Sequence, residues 1–170
     1  MYNIIDNYLS DIDFDFVYNS IHNTDFNWCL WKKANNSSDS ENQFQFAHRY
    51  VNYKKECYNK SSNIPILVMK RIAKESKKEL IISKAKTNLF VKQNESIRLG
   101  FHKDIEDDVF LKTLILYLED SNGYTQFENE VKVLSKRNRA VIFDAHSIHQ
   151  TVTQTDVMFR TNININYYEV

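Results

Sequence analysis

Along residues 4–22 the apolar side chains fall at Ile4, Ile5, Leu9, Phe14, Phe16, Val17 and Ile21. These spacings predict one or two short amphipathic helices, with Asp11 or Asp13 as N-cap. Residues 35–43 are polar and read as a loop. The alternation in Phe44-Gln45-Phe46-Ala47-His48 predicts a strand. Ser61-Ser62-Asn63 then offers an N-cap, and Pro65 suits a first helical turn. Residues 65–78 follow as a helix whose basic end, Lys74, Lys77 and Lys78, complements the C-terminal dipole.

From about Leu80 the pattern changes to short β-branched and aromatic runs: 79–83, 87–91, 96–102, 112–118, 131–134, 140–143 and 159–167. Many short strands in close succession predict a sandwich or barrel. Asn122-Gly123, between 114–118 and 125–127, has the composition of a type I′ hairpin turn. The fold class is therefore mainly β with N-terminal helices, and with no linker or internal repeat the 170 residues read as one domain.

Composition narrows the function. Lys+Arg and Asp+Glu both total 22, so the formal charge is zero, which weighs against a dedicated nucleic-acid binder. Gly100 and Gly123 are the only glycines, and no Gly-rich phosphate loop exists. Cys29 and Cys57 are too few for a disulfide framework and read as free thiols of a reducing cytoplasm. Neither a signal peptide nor an apolar run long enough for a membrane is visible.

The chemistry concentrates late in the chain. In a strand, residues i and i+2 face one way, so His102 and Asp104 would present an imidazole and a carboxylate together. One more histidine would complete the facial triad of non-haem Fe(II) sites, which leaves open coordination positions. His146 and His149, just after the apolar run 140–143, are the candidates. In the final alternating run, Arg160, Asn162, Asn164 and Asn166 share one face, opposite Ile163 and Ile165. Such a polar face needs partners if it is buried, and a dicarboxylate would supply them through the bidentate geometry of arginine.

His102-Lys103-Asp104, Tyr117-Leu118, Gly123-Tyr124-Thr125-Gln126-Phe127, Val141-Ile142-Phe143, a histidine and then Arg160 occur in the order and spacing of a known family. From about Lys84 to Tyr167 the chain resembles the 2-oxoglutarate/Fe(II) oxygenases of the prolyl 4-hydroxylase-like branch, and especially small members encoded by bacteriophages. Residues 44–48 and 84–89 match more loosely. The resemblance implies a double-stranded β-helix, the cupin-like jelly-roll barrel, with helical support over about 1–80 and the barrel core over about 80–170. It implies Fe(II) held by His102, Asp104 and His149, since the family spacing to Arg160 favours His149 over His146. It further implies that Arg160 and Tyr117 hold the distal carboxylate of 2-oxoglutarate, with Asn162 and Asn164 beside it. One departure stands out. Where the strand before the HxD motif often carries a tyrosine that reaches the co-substrate, this chain has Phe90, so the contact is absent or is replaced by Asn88 or Lys86.

The implied activity consumes 2-oxoglutarate and O2, releases succinate and carbon dioxide, and hydroxylates a C–H bond. The branch suggests a prolyl residue in a peptide or protein, and a small molecule is the other substrate class. Two alternatives remain in view. A nucleobase-modifying oxygenase fits poorly with the neutral charge, the acidic 106–108 run and the lack of a second arginine after Arg160. A non-catalytic jelly-roll module that binds a metal is the other. The aromatic segment 44–63 is expected to line or cover the substrate entrance, and His48 within it to be structural.

Overall fold

The computed structural model describes residues 2–32, 44–52, 63–105 and 110–170. These residues form strands β1 (Tyr2–Ile5), β2 (Cys29–Trp31), β3 (Gln45–Asn52), β4 (Leu80–Val91), β5 (Lys112–Tyr117), β6 (Tyr124–Phe127), β7 (Lys132–Leu134), β8 (Arg139–Asp144), β9 (His149–Val152) and β10 (Phe159–Glu169). Helices α1 (Asp11–Ile21) and α2 (Ile64–Ser76) complete the set. A seven-stranded sheet runs β1-β8-β5-β10-β4-β3-β2, and a three-stranded sheet runs β7-β6-β9. All strand pairings among the described residues are antiparallel.

Alternation along the central strands separates two interiors. Leu114 and Leu116 of β5 and Ile163 and Ile165 of β10 point at the helices, where they join Phe14, Val17 and Ile21 of α1 and Val68 and Ile72 of α2. Ile115 and Tyr117 point the other way and pack with Phe127, Val133, Val141 and Phe143 between the two sheets. The opposite face of β10 therefore sends Arg160, Asn162, Asn164 and Asn166 into the space between the sheets, where all four are buried.

Several expectations change. Ile4 and Ile5 belong to β1, paired with Val141 and Ala140 of β8, and not to a helix. The cap of α1 is Ser10, whose Oγ accepts from the Asp13 N–H at 3.2 Å, while Asp13 lies in the first turn. Runs 79–83 and 87–91 fuse into the one long strand β4. Residues 96–102 form no strand, only the bridges Arg98–Val152 and His102–His149. The Asn122-Gly123 hairpin is also overturned. β5 pairs with β8 and β10, whereas β6 pairs with β7 and β9 in the other sheet. Asn122 instead accepts from the Thr155 N–H through Oδ1 and donates its own N–H to Asp156, tying this crossing to the loop before β10. The first 80 residues supply three strands of the large sheet as well as both helices. Residues 35–43, 53–62 and 106–108 lie outside the described residues, as does Cys57; Cys29 is an exposed free thiol. Among the described residues no helix is long and apolar enough to cross a membrane.

A partly buried ion pair fastens α1 to β10. His22, just past the helix, donates from Nδ1 to the Tyr18 carbonyl at 2.8 Å and from Nε2 to Glu119 at 3.0 Å. Glu119 also accepts from the Thr161 N–H at 2.6 Å. Burial pushes the His22 imidazole down, but the Glu119 and Tyr18 bonds outweigh it and raise its pKa above 6.5. A group with a raised folded-state pKa stabilises fully below its unfolded value and loses that contribution as pH rises through the folded value. Parent and His22→Gln should thus differ most below pH 6.5, by about 1.5 kcal/mol for one charge-assisted bond, and converge on alkalinisation. Urea midpoints measured across pH 6 to 9 check this; a difference that does not shrink with pH would contradict it.

Candidate active site

The HxD segment is placed by pairing with β9. His102 and His149 exchange both backbone hydrogen bonds, at 2.9 and 3.0 Å. Such a closely paired couple sets its side chains beside each other, and the two imidazole centroids are 4.6 Å apart. Gly100, at φ 86°, makes the bend that delivers His102 from a non-strand segment, a left-handed conformation for which glycine has no steric penalty. The Asp104 N–H then bonds to the Ala145 carbonyl at 3.0 Å and fixes the carboxylate two residues on. Ligand atoms of His102, Asp104 and His149 lie within 4.8 Å of one another. His146 is not part of this cluster.

The surrounding shell orients the three groups. His102 Nδ1 faces the Gly100 carbonyl at 3.2 Å, and His149 Nδ1 faces the Ser147 carbonyl at 2.9 Å. Donation from both Nδ1 atoms leaves both Nε2 lone pairs for a metal, the usual role of such outer contacts. Asp104 Oδ2 accepts from Thr113 Oγ1 at 2.8 Å, from Asn166 Nδ2 at 3.2 Å and from Asn164 Nδ2 at 3.4 Å. Oδ1 is left toward His102 Nε2, 4.0 Å away. Burial, with His149 beside it, lowers His102 to about 4. Burial alone would raise Asp104, but His149, Lys86 and His102 bring it down to about 2. At neutral pH the set therefore holds a neutral His102 and an ionised Asp104, the forms that bind a divalent cation. Thr113 and Asn166 were not singled out from sequence. Asn166 shared its face with Arg160, but Thr113 carries no signal until β5 is seen against β10.

His102, Asp104 and His149 line one cavity with Gln45, Lys86, Asn88, Phe90, Leu99, Ile115, Thr151, Asn162 and Asn164. Asn88 donates to Asn162 Oδ1 at 2.9 Å, and its own Oδ1 is buried without a hydrogen-bond partner. Lys86 has its pKa lowered to about 8 by burial and by Lys84. Beyond Asn162 on the same face stands Arg160, fully buried, with its guanidinium carbon 5.0 Å from the Phe90 ring centroid. Phe90 thus meets Arg160 through its ring face. Among the described residues, Nε, Nη1 and Nη2 of Arg160 all lack a hydrogen-bond partner. Asp156 is engaged by the Asn122 and Val157 N–H groups, and neither it nor Asp144 pairs with the arginine. Burial brings the Arg160 pKa down to about 10, so the side chain stays cationic at neutral pH. Tyr117 donates to Thr125 Oγ1 at 2.7 Å, and burial pushes its hydroxyl up to about 12. His48 lies outside this cavity's lining, its Nδ1 bonded to the Asn27 carbonyl at 2.8 Å.

An unpaired buried guanidinium is costly. A fold that keeps one beside a His-Asp-His cluster has room in its chemistry for an anion that reaches both. The residues fit Fe(II) and 2-oxoglutarate: two imidazoles and one carboxylate for the metal, and an uncompensated arginine for a carboxylate.

No family model matches the chain, and no curated protein matches it. Solved structures do. A 2OG-Fe(II) oxygenase family oxidoreductase from Burkholderia pseudomallei superposes with a TM-score of 0.68 at 9% identity, over 98% of this chain and 84% of that one. A prolyl hydroxylase from Trichoplax adhaerens, in complex with a hypoxia inducible factor oxygen degradation domain peptide fragment, gives 0.65 at 14% identity, over 99% and 83%. The viral collagen prolyl hydroxylase of Paramecium Bursaria Chlorella virus-1 gives 0.56 at 16% identity, over 99% and 90%. The chain has the fold of the 2OG-Fe(II) oxygenases.

Proposed function

We propose that this chain is an Fe(II)- and 2-oxoglutarate-dependent dioxygenase that hydroxylates a C–H bond. The observation that carries the reading is the pairing, on one buried surface, of the His102-Asp104-His149 cluster with an arginine whose three guanidinium nitrogens have no partner. Bound Fe(II), with 2-oxoglutarate and O2, supplies the oxidation, and 2-oxoglutarate leaves as succinate and carbon dioxide. The protein's part is orientation and exclusion of water. His102 and His149 offer Nε2, with their rings held by the carbonyls of Gly100 and Ser147. Asp104 offers Oδ1 while Thr113, Asn164 and Asn166 restrain Oδ2. Arg160 binds the distal carboxylate of the co-substrate, with Tyr117 beside it and Asn162 and Asn164 along its length. The Tyr117 hydroxyl, which donates to Thr125 Oγ1, would be the second donor to that carboxylate.

Succinate formation from 2-oxoglutarate with Fe(II) and O2, without added substrate, tests the reading. Oxygenases of this kind turn over slowly when uncoupled, and a non-catalytic metal-binding module yields no succinate. For the substrate we infer a prolyl residue in a peptide or protein, supported by the Trichoplax likeness, whose partner is a peptide. Gain of one oxygen by members of a peptide library, read by mass spectrometry, checks it. We further infer that residues 1–170 act as one domain in a cytoplasm.

Gly123 bears directly on Arg160. A Cβ built at Gly123 would lie 2.8 Å from Arg160 Nη1 and 3.0 Å from Cζ. The guanidinium is held between this backbone and the Phe90 ring, so it must shift to make room. Gly123→Ala should weaken 2-oxoglutarate binding roughly tenfold, about 1.4 kcal/mol, with Fe(II) binding kept. An unchanged 2-oxoglutarate titration would show that the guanidinium position is not what the co-substrate reads.

A further inference from the structure

Lys86 is given no contact with the primary substrate in the scheme above, although it lines the same cavity as His102, Asp104 and His149. It forms no ion pair or hydrogen bond among the described residues. Its cross-strand neighbours are Asn164 on β10 and Arg49 on β3. Two cations directly opposite on adjacent strands repel each other. Both also lie against one aromatic ring: the Arg49 guanidinium carbon is 4.6 Å, and Lys86 Nζ 5.6 Å, from the centroid of Trp31 on the edge strand β2. Lys86 in the cavity lining and Arg49 beside it thus place two cations on one half-buried indole.

Position separates this pair from the co-substrate anchor. Arg160 sits opposite Phe90 and Asn164 opposite Lys86, four residues or about 13 Å along the strand. Asn164 bonds to Asp104, so Lys86 stands at the metal-ligand end. Charge points the same way. The negative charges of Asp104 and 2-oxoglutarate balance those of Fe(II) and Arg160, and Lys86 is left over.

We propose that Lys86, backed by Arg49 and Trp31, is a subsite for a carboxylate carried by the primary substrate. This rests on the oxygenase reading and deepens it. Lys86 is the one lysine or arginine among the residues lining the cavity and so suits a monoanion, and the indole offers an apolar wall for the carbons that bear it. The carboxylate has two sources, an acidic side chain near the oxidised residue of a peptide, or the carboxylate of a small acid.

The test uses the full chain with Fe(II) and 2-oxoglutarate under anaerobic conditions, comparing the parent with Lys86→Gln, Lys86→Arg and Arg49→Gln. In one arm, immobilised protein captures members of a random peptide pool, which are sequenced by mass spectrometry. In the other, small carboxylic acids and their amides are titrated, and the same panel is then assayed aerobically for stimulated succinate formation. The expected result is selection of Asp- or Glu-containing peptides over their amides, or of acids over amides, on the order of tenfold, the effect of one charge-assisted bond. Lys86→Gln removes that selection, Lys86→Arg retains it, and Arg49→Gln reduces it. No carboxylate preference in either arm, with 2-oxoglutarate still bound, overturns the proposal and leaves the oxygenase reading standing. A selection that survives in Lys86→Gln also overturns it. So does a Lys86→Gln variant whose only change is a 2-oxoglutarate Kd raised tenfold or more, which would make Lys86 a co-substrate contact. Absence of 2-oxoglutarate binding by the parent would bring down the oxygenase reading itself.

Discussion

His102→Ala, Asp104→Ala and His149→Ala should each abolish Fe(II) binding and succinate formation, while His146→Ala keeps most activity. The three groups converge within 4.8 Å, and His146 is outside that cluster. With two protein ligands left, the metal loses both charge compensation and the fixed facial geometry that a three-residue site provides. The variants should differ in stability even though they agree in function. Asp104→Ala strips the acceptor from Thr113, Asn164 and Asn166, and buried donors left without a partner cost about 1–3 kcal/mol each. His149→Ala opens space against Phe127 and Phe143, whose rings pack on the imidazole at 6.1 and 4.9 Å. Anaerobic Fe(II) titration, paired with thermal melts of the metal-free proteins, separates loss of ligand from loss of fold. An active His149→Ala with an inactive His146→Ala would make His146, and not His149, the third ligand.

Arg160→Ala should lower 2-oxoglutarate affinity by at least roughly a hundredfold, the effect of about 2.8 kcal/mol, and leave Fe(II) affinity nearly unchanged. Two charge-assisted bonds of about 1.5–3 kcal/mol each are lost, and the distal carboxylate is left buried with no charged partner. Arg160→Lys keeps a charge but not the fork, and should lose less. A third variant adds a sign reversal. Because the guanidinium is fully buried and unpaired, replacing it by an apolar group of similar length removes a desolvation cost. Arg160→Met should therefore melt higher than the parent without ligand, and lower than the parent with saturating 2-oxoglutarate and metal. Titration of metal alone, then of 2-oxoglutarate in its presence, with melts under both conditions, measures all three. Parent-like 2-oxoglutarate binding by Arg160→Ala would reduce the arginine to a structural role.

The sequence by itself determined the strand-rich second half, α2 to within two residues at each end, and the polar face of β10. Each of these is a periodic signal long enough to read: period two over Arg160–Asn166, and apolar spacing with a proline at the start and lysines at the end for α2. The ordered series from His102 through Tyr117, Gly123 and Phe143 to Arg160 was legible as a family pattern, and with it the fold that the solved structures share. Two short strands were not legible. β2 and β9 span three and four residues, too few for periodicity, and Ile4-Ile5 suits a strand or a helix until β8 is there to pair with it. Local turn chemistry also misled. Asn122-Gly123 has hairpin composition, yet glycine is needed there because Arg160 packs on the backbone, and the strands on either side enter different sheets. Tertiary structure alone decided that His149 stands beside His102, since their adjacency is a backbone pairing across 47 residues. It alone showed Thr113 and Asn166 restraining Asp104, and Arg160 buried with every donor unmet. Those are contacts between strands distant in the chain, and a one-dimensional pattern specifies which face a side chain takes but not what it meets there.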